Sequence, residues 1–417
     1  MTRRAHRAAA ILACLTIANV VAYAGRNGLV SVYDDLRRIF GLPDDQIGLL
    51  ATAFIVPHAL ATLPFGWAGD RWDRRRVIAV GVIVASIGGA MAAISSDRWV
   101  LFASRAVLGL GMAAVVPVAN SIIGQLYEGP HKASRMAIFN LGLLVGAVVG
   151  LGTGTAVGFP LVVVILAVPG LAIALVIWKL DVPAHPGHGD PSTSFSQLSA
   201  SFFTTARALL RISTLRWVIL SATAMAFAAG GYSWWLVDFL MRDKGMSKAS
   251  ASELLSVGFI GAVAGIVTGA RLADRLRRRR PTGRLWVIVI GMVLALPVTA
   301  AAIELPAGAT LYAAGFGTLF FMSWYHAPIA VSVDDLAPPS QSAAAQGLVI
   351  CMMHLLGTAP SAWILGIVSR RWSLYSAMWV PMATIVIAAL AMIAATRTFA
   401  RDAAKARAGG TPGQASL

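Results

Sequence analysis

The chain has 417 residues, 58% of them hydrophobic and 12% charged, with 34 Lys and Arg against 18 Asp and Glu for a formal charge of +16. Soluble domains average about 45–50% apolar and about 25% charged residues, so too few charged side chains exist here to cover soluble cores, and lipid is the main solvent. The basic residues stand in short clusters between apolar runs, at 71–76 and 275–284 for example, a pattern of membrane orientation that excludes a nucleic-acid partner.

A bilayer core about 30 Å thick needs ~20 mostly apolar residues per helix. Twelve such runs are predicted, near 9–30, 47–69, 77–95, 99–124, 133–157, 159–179, 216–241, 251–272, 284–303, 309–333, 344–367 and 373–396. The first follows Arg3, Arg4 and Arg7 and contains Ala22-Tyr23-Ala24, which imitates a secretory signal; it is read as a retained span because its removal would break the symmetry described below. The sixth and seventh runs are separated by a Pro/Gly/His/Ser-rich stretch, Pro183 to Ser194, and by Phe195 to Arg211, which mixes Phe202, Phe203, Leu209 and Leu210 with Arg207 and Arg211. That segment is predicted to be a linker with an interfacial amphipathic helix. The domain plan is therefore an N-terminal six-helix bundle (1–179), a cytoplasmic linker (180–215), a C-terminal six-helix bundle (216–400) and a cytoplasmic tail (401–417).

With loops alternating sides, 24 Lys and Arg fall on the side of the N-terminus and 8 on the other, leaving Arg26 and Arg105 inside spans. Both termini are expected to be cytoplasmic. Cys14 and Cys351 lie in apolar runs without metal-ligand spacing, so they are expected to be buried thiols, with no disulfide framework, no metal and no cofactor.

The two halves repeat. Gly69-Asp70-Arg71 followed by Arg74 to Arg76 recurs as Ala273-Asp274-Arg275 followed by Arg277 to Arg280, and Pro117, Leu126 and Gly146 match Pro328, Leu336 and Gly357 at offsets of 210 to 211. Duplication of a six-span unit implies two pseudo-symmetric bundles that can rock about a central site.

Gly66-Trp-Ala-Gly-Asp70-Arg71-Trp-Asp-Arg74-Arg75 resembles the signature Gly-x-x-x-Asp-Arg-x-Gly-Arg-Arg of the major facilitator superfamily, with Asp73 where Gly is usual. The resemblance implies an all-α membrane protein of twelve transmembrane helices, the major facilitator fold. It also implies a gating latch at Asp70, Arg71, Arg74 and Arg75, with Asp274 and Arg275 at the repeated positions; the other reading of the arginines is that they anchor topology. Within the superfamily the chain looks most like the Spinster-like lipid transporters, through Phe40 to Phe54, Phe65 to Arg71, Arg105-Ala-Val-Leu-Gly109-Leu-Gly111 and His354-Leu-Leu-Gly357. It departs from them at Gly25 and Met112, which stand where that family carries the carboxylates associated with proton coupling.

An ionised Arg at mid-membrane costs about 2.5–3.5 kcal/mol even on insertion scales, so Arg26 and Arg105 need a cavity, a partner or a ligand. Asn19, Tyr23 and Arg26 follow helical spacing, with Asn27 at the edge of the stripe. An anionic headgroup is one counter-charge for Arg26; snorkelling or pairing with Asp34 or Asp35 is the other reading. Arg105 is expected to face a functional cavity or to bind backbone carbonyls. Gly142, Gly146 and Gly150 read as a packing stripe. Tyr232, with Trp234 and Trp235, together with Tyr325, His326 and His354, are further candidates for the cavity wall, an interfacial belt being the other reading of the three in span seven. His58, His326 and His354 are the mid-span groups able to carry a proton near neutral pH, although a buried His is commonly structural. Asp238 and the Asp334-Asp335 pair are gate or cap candidates.

The sequence thus predicts a monomeric secondary transporter of the cell membrane, in contact with membrane lipids, that moves a small amphipathic or anionic molecule, a lysolipid among the options, by alternating access. An organic-anion or drug symporter or antiporter is the alternative within the superfamily. A lipid-linked glycosyltransferase using Asp34-Asp35 is the rival of another class, but such an enzyme needs further acids or a metal cluster, and the repeat argues for a transporter.

Overall fold

A computed structural model of the chain describes residues 3–127, 131–182, 204–337 and 341–408, all in helices, turns and short connections. Two compact units emerge: Met1–Phe195 with Ser247–Ser252, and Ser196–Met246 with Glu253–Leu417. The predicted interfacial helix at 195–211 lies mostly outside the described residues, of which 204–209 are helical.

The first unit contains α1 (Arg3–Asn27), α2 (Tyr33–Phe40), α3 (Asp44–Arg71), α4 (Arg74–Ala93), α5 (Arg98–Met112), α6 (Val115–Leu126), α7 (His131–Val157) and α8 (Leu161–Lys179). Its helix ends follow local chemistry. Gly41 closes α2 at φ 61° with its N–H on the Arg37 carbonyl, a left-handed cap that glycine adopts without a Cβ penalty. Asp97 caps α5 by accepting from the N–H groups of Trp99 and Val100 at 2.7 and 3.1 Å. The second unit holds α9 (Ser213–Arg242), α10 (Lys248–Arg279), α11 (Gly283–Glu304), α12 (Ala309–Met322), α13 (His326–Leu336), α14 (Ser342–Met352), a π-turn at Met353–Thr358, α15 (Ala359–Arg371) and α16 (Leu374–Ala408).

Ten helices among the described residues are long and apolar enough to cross a membrane, and α3 and the α12–α13 pair supply the other two of twelve. Their outward faces carry large apolar side chains: on α8, Val168 and Leu175 are 59% and 62% exposed, whereas Ala174 and Ile177 are sealed against the bundle. A helix apolar on every side, with one face open, is solvated by lipid.

The repeat has physical consequences in each unit. Span four breaks between α5 and α6, and span ten breaks at the 3-10 turn Ser323–Tyr325 between α12 and α13. Pro117 and Pro328 are each the third residue of the helix that follows; lacking an N–H and clashing one turn back, proline ends the preceding helix there. The resumed helices stop at the matched Leu126 and Leu336.

Similar motifs are folded differently elsewhere. In the first half α3 stops at Arg71 and Asp73 caps α4, accepting from the Arg75 N–H at 3.2 Å. In the second half α10 runs on through Asp274 and Arg275 to Arg279, because nothing like Trp72-Asp73 interrupts a run of helix-favouring arginines. The helix of span twelve also runs past the predicted end of the span near 396, since α16 continues to Ala408.

Candidate functional site

The first unit holds a cationic cluster built on three helices. On α7, Gly142, Gly146 and Gly150 meet α1: a Cβ at Gly146 would stand 2.8 Å from the Tyr23 Cβ, and one at Gly150 3.0 Å from Ala24 Cα. This close approach fixes the face of α1 that carries Tyr23 and Arg26. On α5, Gly109 lies directly on the backbone of α3, where an added Cβ would stand 3.0 Å from the Phe54 carbonyl carbon. That crossing delivers the buried Phe54 ring between two arginines. The Arg26 and Arg105 guanidinium carbons lie 5.5 and 5.3 Å from its centroid, and Arg26 is 5.7 Å from the Tyr23 ring. Arg105, 3% exposed, donates to the carbonyls of Arg26 and Gly25 at 3.2 and 3.4 Å, while its Nε has no hydrogen-bond partner.

His58 completes the cluster. Its ring stacks on Phe54 at 5.6 Å and 14°, and its Nδ1 lies 3.3 Å from the Gly109 carbonyl. A carbonyl only accepts, so Nδ1 carries the proton in that bond. Asp34 and Asp35, considered as partners for Arg26, are engaged by Arg37 and Arg38 at 3.2 and 2.7 Å. Asp35 also accepts from the Phe159 N–H. Arg105 thus has carbonyls on two donors and a buried, unpaired Nε near an aromatic ring. Such a site can hold an anion or the face of an aromatic group.

Sequence and fold comparisons identify the architecture. The model of the Major Facilitator Superfamily matches residues 15–357 and 236–415. The chain belongs to that superfamily. It is similar to Protein spinster homolog 3 of Danio rerio, 28% identical over 90% of this chain and 78% of the relative, and to Protein spinster homolog 1 of Homo sapiens, 25% identical over 88% and 74%. In fold it resembles a bacterial homolog to the human lysosomal transporter Spinster in an inward-facing and unoccupied conformation, with TM-score 0.81, 22% identity and coverage of 95% of this chain and 98% of that one. It also resembles the nucleoside transporter NupG, with TM-score 0.71, 15% identity and coverage of 94% and 98%. This superfamily member is a multi-pass membrane protein and a secondary transporter, and the glycosyltransferase reading falls.

The remaining site residues of this superfamily member divide by position. Asp70 and Arg71 end α3, and their side chains lie outside the described residues. Arg74 is 3% exposed and binds Ser121 on α6 at 3.1 Å, together with Gln125. Arg75 donates to Asp73 at 2.7 Å and to the Leu180 carbonyl at 3.1 Å. Asp73, the departure from the family signature, thus caps α4 and orients Arg75, a role that its type and its place just before a helix signal. Arg284 joins Asp335 at 2.7 Å and Asp274 at 3.9 Å, and Arg275 is exposed. Asp334 accepts from Gln346 at 2.9 Å, and Asp238 pairs with Arg242 at 3.3 Å.

Two candidates are held by internal hydrogen bonds. Asn19 is 1% exposed and donates to the Phe139 carbonyl on α7 at 2.9 Å. Tyr232 is buried and donates to the Met378 carbonyl at 3.1 Å, one turn from Trp235, which donates to the Ala362 carbonyl at 2.8 Å. Tyr232, Trp234 and Trp235 are all buried within the second unit, where Tyr232 also lines a small apolar cavity with Leu236, Thr299 and Met378. Asn27 donates to the Tyr23 carbonyl of its own helix. In the second unit, Tyr325 is buried, and the exposed His326 lies 4.1 Å from its ring with Nδ1 on the Ser323 carbonyl. His354 sits in the π-turn and is half-buried. That unit repeats the crossing with the partners exchanged: Gly265 on α10 meets the backbone of Phe320 on α12, and Phe316, Phe320, Phe321 and Trp324 form an aromatic cluster.

Proposed function

We propose that the protein moves a small amphipathic anion of the lysolipid class across the cell membrane by alternating access, as a monomer with both termini cytoplasmic. The observation that carries this reading is the pair of guanidiniums on one buried ring. Their distances to the Phe54 centroid, 5.5 and 5.3 Å, place the charges no more than about 11 Å apart. At an effective dielectric of ~20 their repulsion is on the order of 1.5 kcal/mol. Residues 9–30, 47–69 and 99–124, which form the surrounding spans, contain no Asp or Glu. An anionic headgroup relieves the repulsion. Gly25 and Met112 hold no carboxylate, and the substrate anion balances the two arginines without a proton, which favours uncoupled transport down the substrate gradient.

Binding of an anionic lysolipid and of a neutral single-chain analogue to purified protein tests the headgroup. Arg26→Gln is expected to weaken the anion by about 1.5–3 kcal/mol, the range of a charge-assisted hydrogen bond, and to leave the neutral analogue nearly unchanged. Equal losses would make Arg26 structural. Orientation is tested by reporter fusions after Arg284 and at the C-terminus, expected cytoplasmic, and near Asp45, expected external.

A further inference from the structure

A second arginine site lies in the first unit, away from the Phe54 cluster. An open cavity of about 550 Å³ is walled by Leu12, Ala13 and Ile17 of α1 and Ile138 of α7, and Arg135 and Tyr127 contribute its polar edge. The Arg135 guanidinium carbon lies 5.5 Å from the Tyr127 ring centroid, and its buried Nε has no hydrogen-bond partner. Among the described residues no carboxylate reaches it, and no other charged side chain lines the cavity. Thr16, the other polar group there, donates its hydroxyl to the Leu12 carbonyl. A cation over a ring, with a donor left over, beside an apolar trough of small-ligand size matches one chemistry: an anionic head with a hydrocarbon chain.

We propose that Arg135 and Tyr127 form a second binding station for an anionic single-chain amphiphile, whose head meets the guanidinium and whose chain lies on the Leu12, Ala13 and Ile17 face of α1. The station rests on the reading of the protein as a carrier of such amphiphiles. At 1.5 Å per residue, Ala13 and Arg26 stand roughly 20 Å apart along α1, so the two headgroup positions are separate. One molecule can wait at the end of the bundle that carries the N-terminus while another occupies the central cluster. The occupant is the lipid and not free phosphate, since the trough contributes apolar burial that inorganic phosphate lacks.

Native mass spectrometry of the full-length protein with lysophosphatidate, with a monoacylglycerol of the same chain and with inorganic phosphate tests this. Wild type is expected to hold two lysophosphatidates and Arg135→Gln one, with at least a tenfold loss at the second site. Arg135→Lys should recover part of that loss, and monoacylglycerol binding should survive in both variants, reporting an intact fold. Millimolar phosphate should not displace the second lipid. Two lysophosphatidates on Arg135→Gln with unchanged affinity would overturn the station, as would displacement by phosphate alone. Arg26→Gln tests the central reading separately: retention of both lipids there, with one lost in Arg135→Gln, would refute the central site and leave the station standing.

Discussion

Gly109→Ala probes the contact on which the cationic cluster is built. The added methyl would stand 3.0 Å from the Phe54 carbonyl carbon and 3.3 Å from its Cα, with the carbonyl oxygen nearer still. These are backbone atoms, so no rotamer change absorbs the overlap, and α3 and α5 must separate. Overpacking of this kind costs about 1–3 kcal/mol. Separation also moves the Phe54 ring relative to both guanidiniums and breaks the His58 bond to the Gly109 carbonyl. Gly152→Ala is the control: it lies inside α7 with nothing within 4 Å of an added Cβ, and the helix gains about 0.8–1.0 kcal/mol of propensity. Thermal unfolding in detergent, followed by tryptophan fluorescence, should therefore show Gly109→Ala melting well below wild type and Gly152→Ala at or above it. Lysolipid affinity should fall in the first variant and hold in the second. Equal melting temperatures for the two variants would refute the backbone contact between α3 and α5 and the placement of the ring that depends on it.

Two further outcomes follow from the same structure. The Asp402 carboxylate, beyond the sequence-predicted end of span twelve near 396 and 8% exposed, accepts from the Thr214 hydroxyl and N–H at 2.7 and 3.0 Å and from Arg401 at 3.0 Å, so that α16 caps the start of α9. Burial pushes its carboxyl up, but these donors outweigh burial and hold it below the usual carboxylate range. Asp402→Asn should cost about 1.5–3 kcal/mol at pH 7. A folded pKa below the unfolded value of about 3.9 makes this stabilisation complete above pH ~4 and lost as pH falls through the folded value; unfolding titrations of both proteins should converge there. In proteoliposomes without a substrate gradient, an imposed pH gradient should drive no net accumulation; accumulation abolished by His354→Gln or His326→Gln would establish a histidine cycle instead.

The legible part of the fold was whatever depends on local pattern. Apolar runs of membrane length mark the spans, and Pro117 and Pro328 mark the paired breaks in spans four and ten, because each of these acts within its own turn of chain. Arg26 and Arg105 were visible as charges that an apolar environment must compensate. Phe54 was not, although it ends the Phe40 to Phe54 segment that carries the family likeness: its role beside the arginines depends on which turn of α3 meets Gly109, and nothing local to either helix encodes that register. The carbonyl partners of Tyr232 and Asn19 were hidden for the same reason. A polar side chain on a transmembrane helix satisfies itself in a cavity or on a neighbour's carbonyl, and only the packing partner decides. The Asp402 tie to Thr214 joins residues 188 apart and has no periodic signal at all.

Flux of a radiolabelled anionic lysolipid and of its neutral single-chain analogue, in proteoliposomes carrying wild type or Arg26→Gln, addresses the cationic cluster as headgroup site most directly. Wild type should equilibrate the anion much faster than the neutral analogue, and Arg26→Gln should slow the anion at least tenfold while leaving the analogue's flux unchanged. Equal fluxes of the two lipids through wild type, or an undiminished anion flux through Arg26→Gln, would contradict an anionic headgroup held between Arg26 and Arg105.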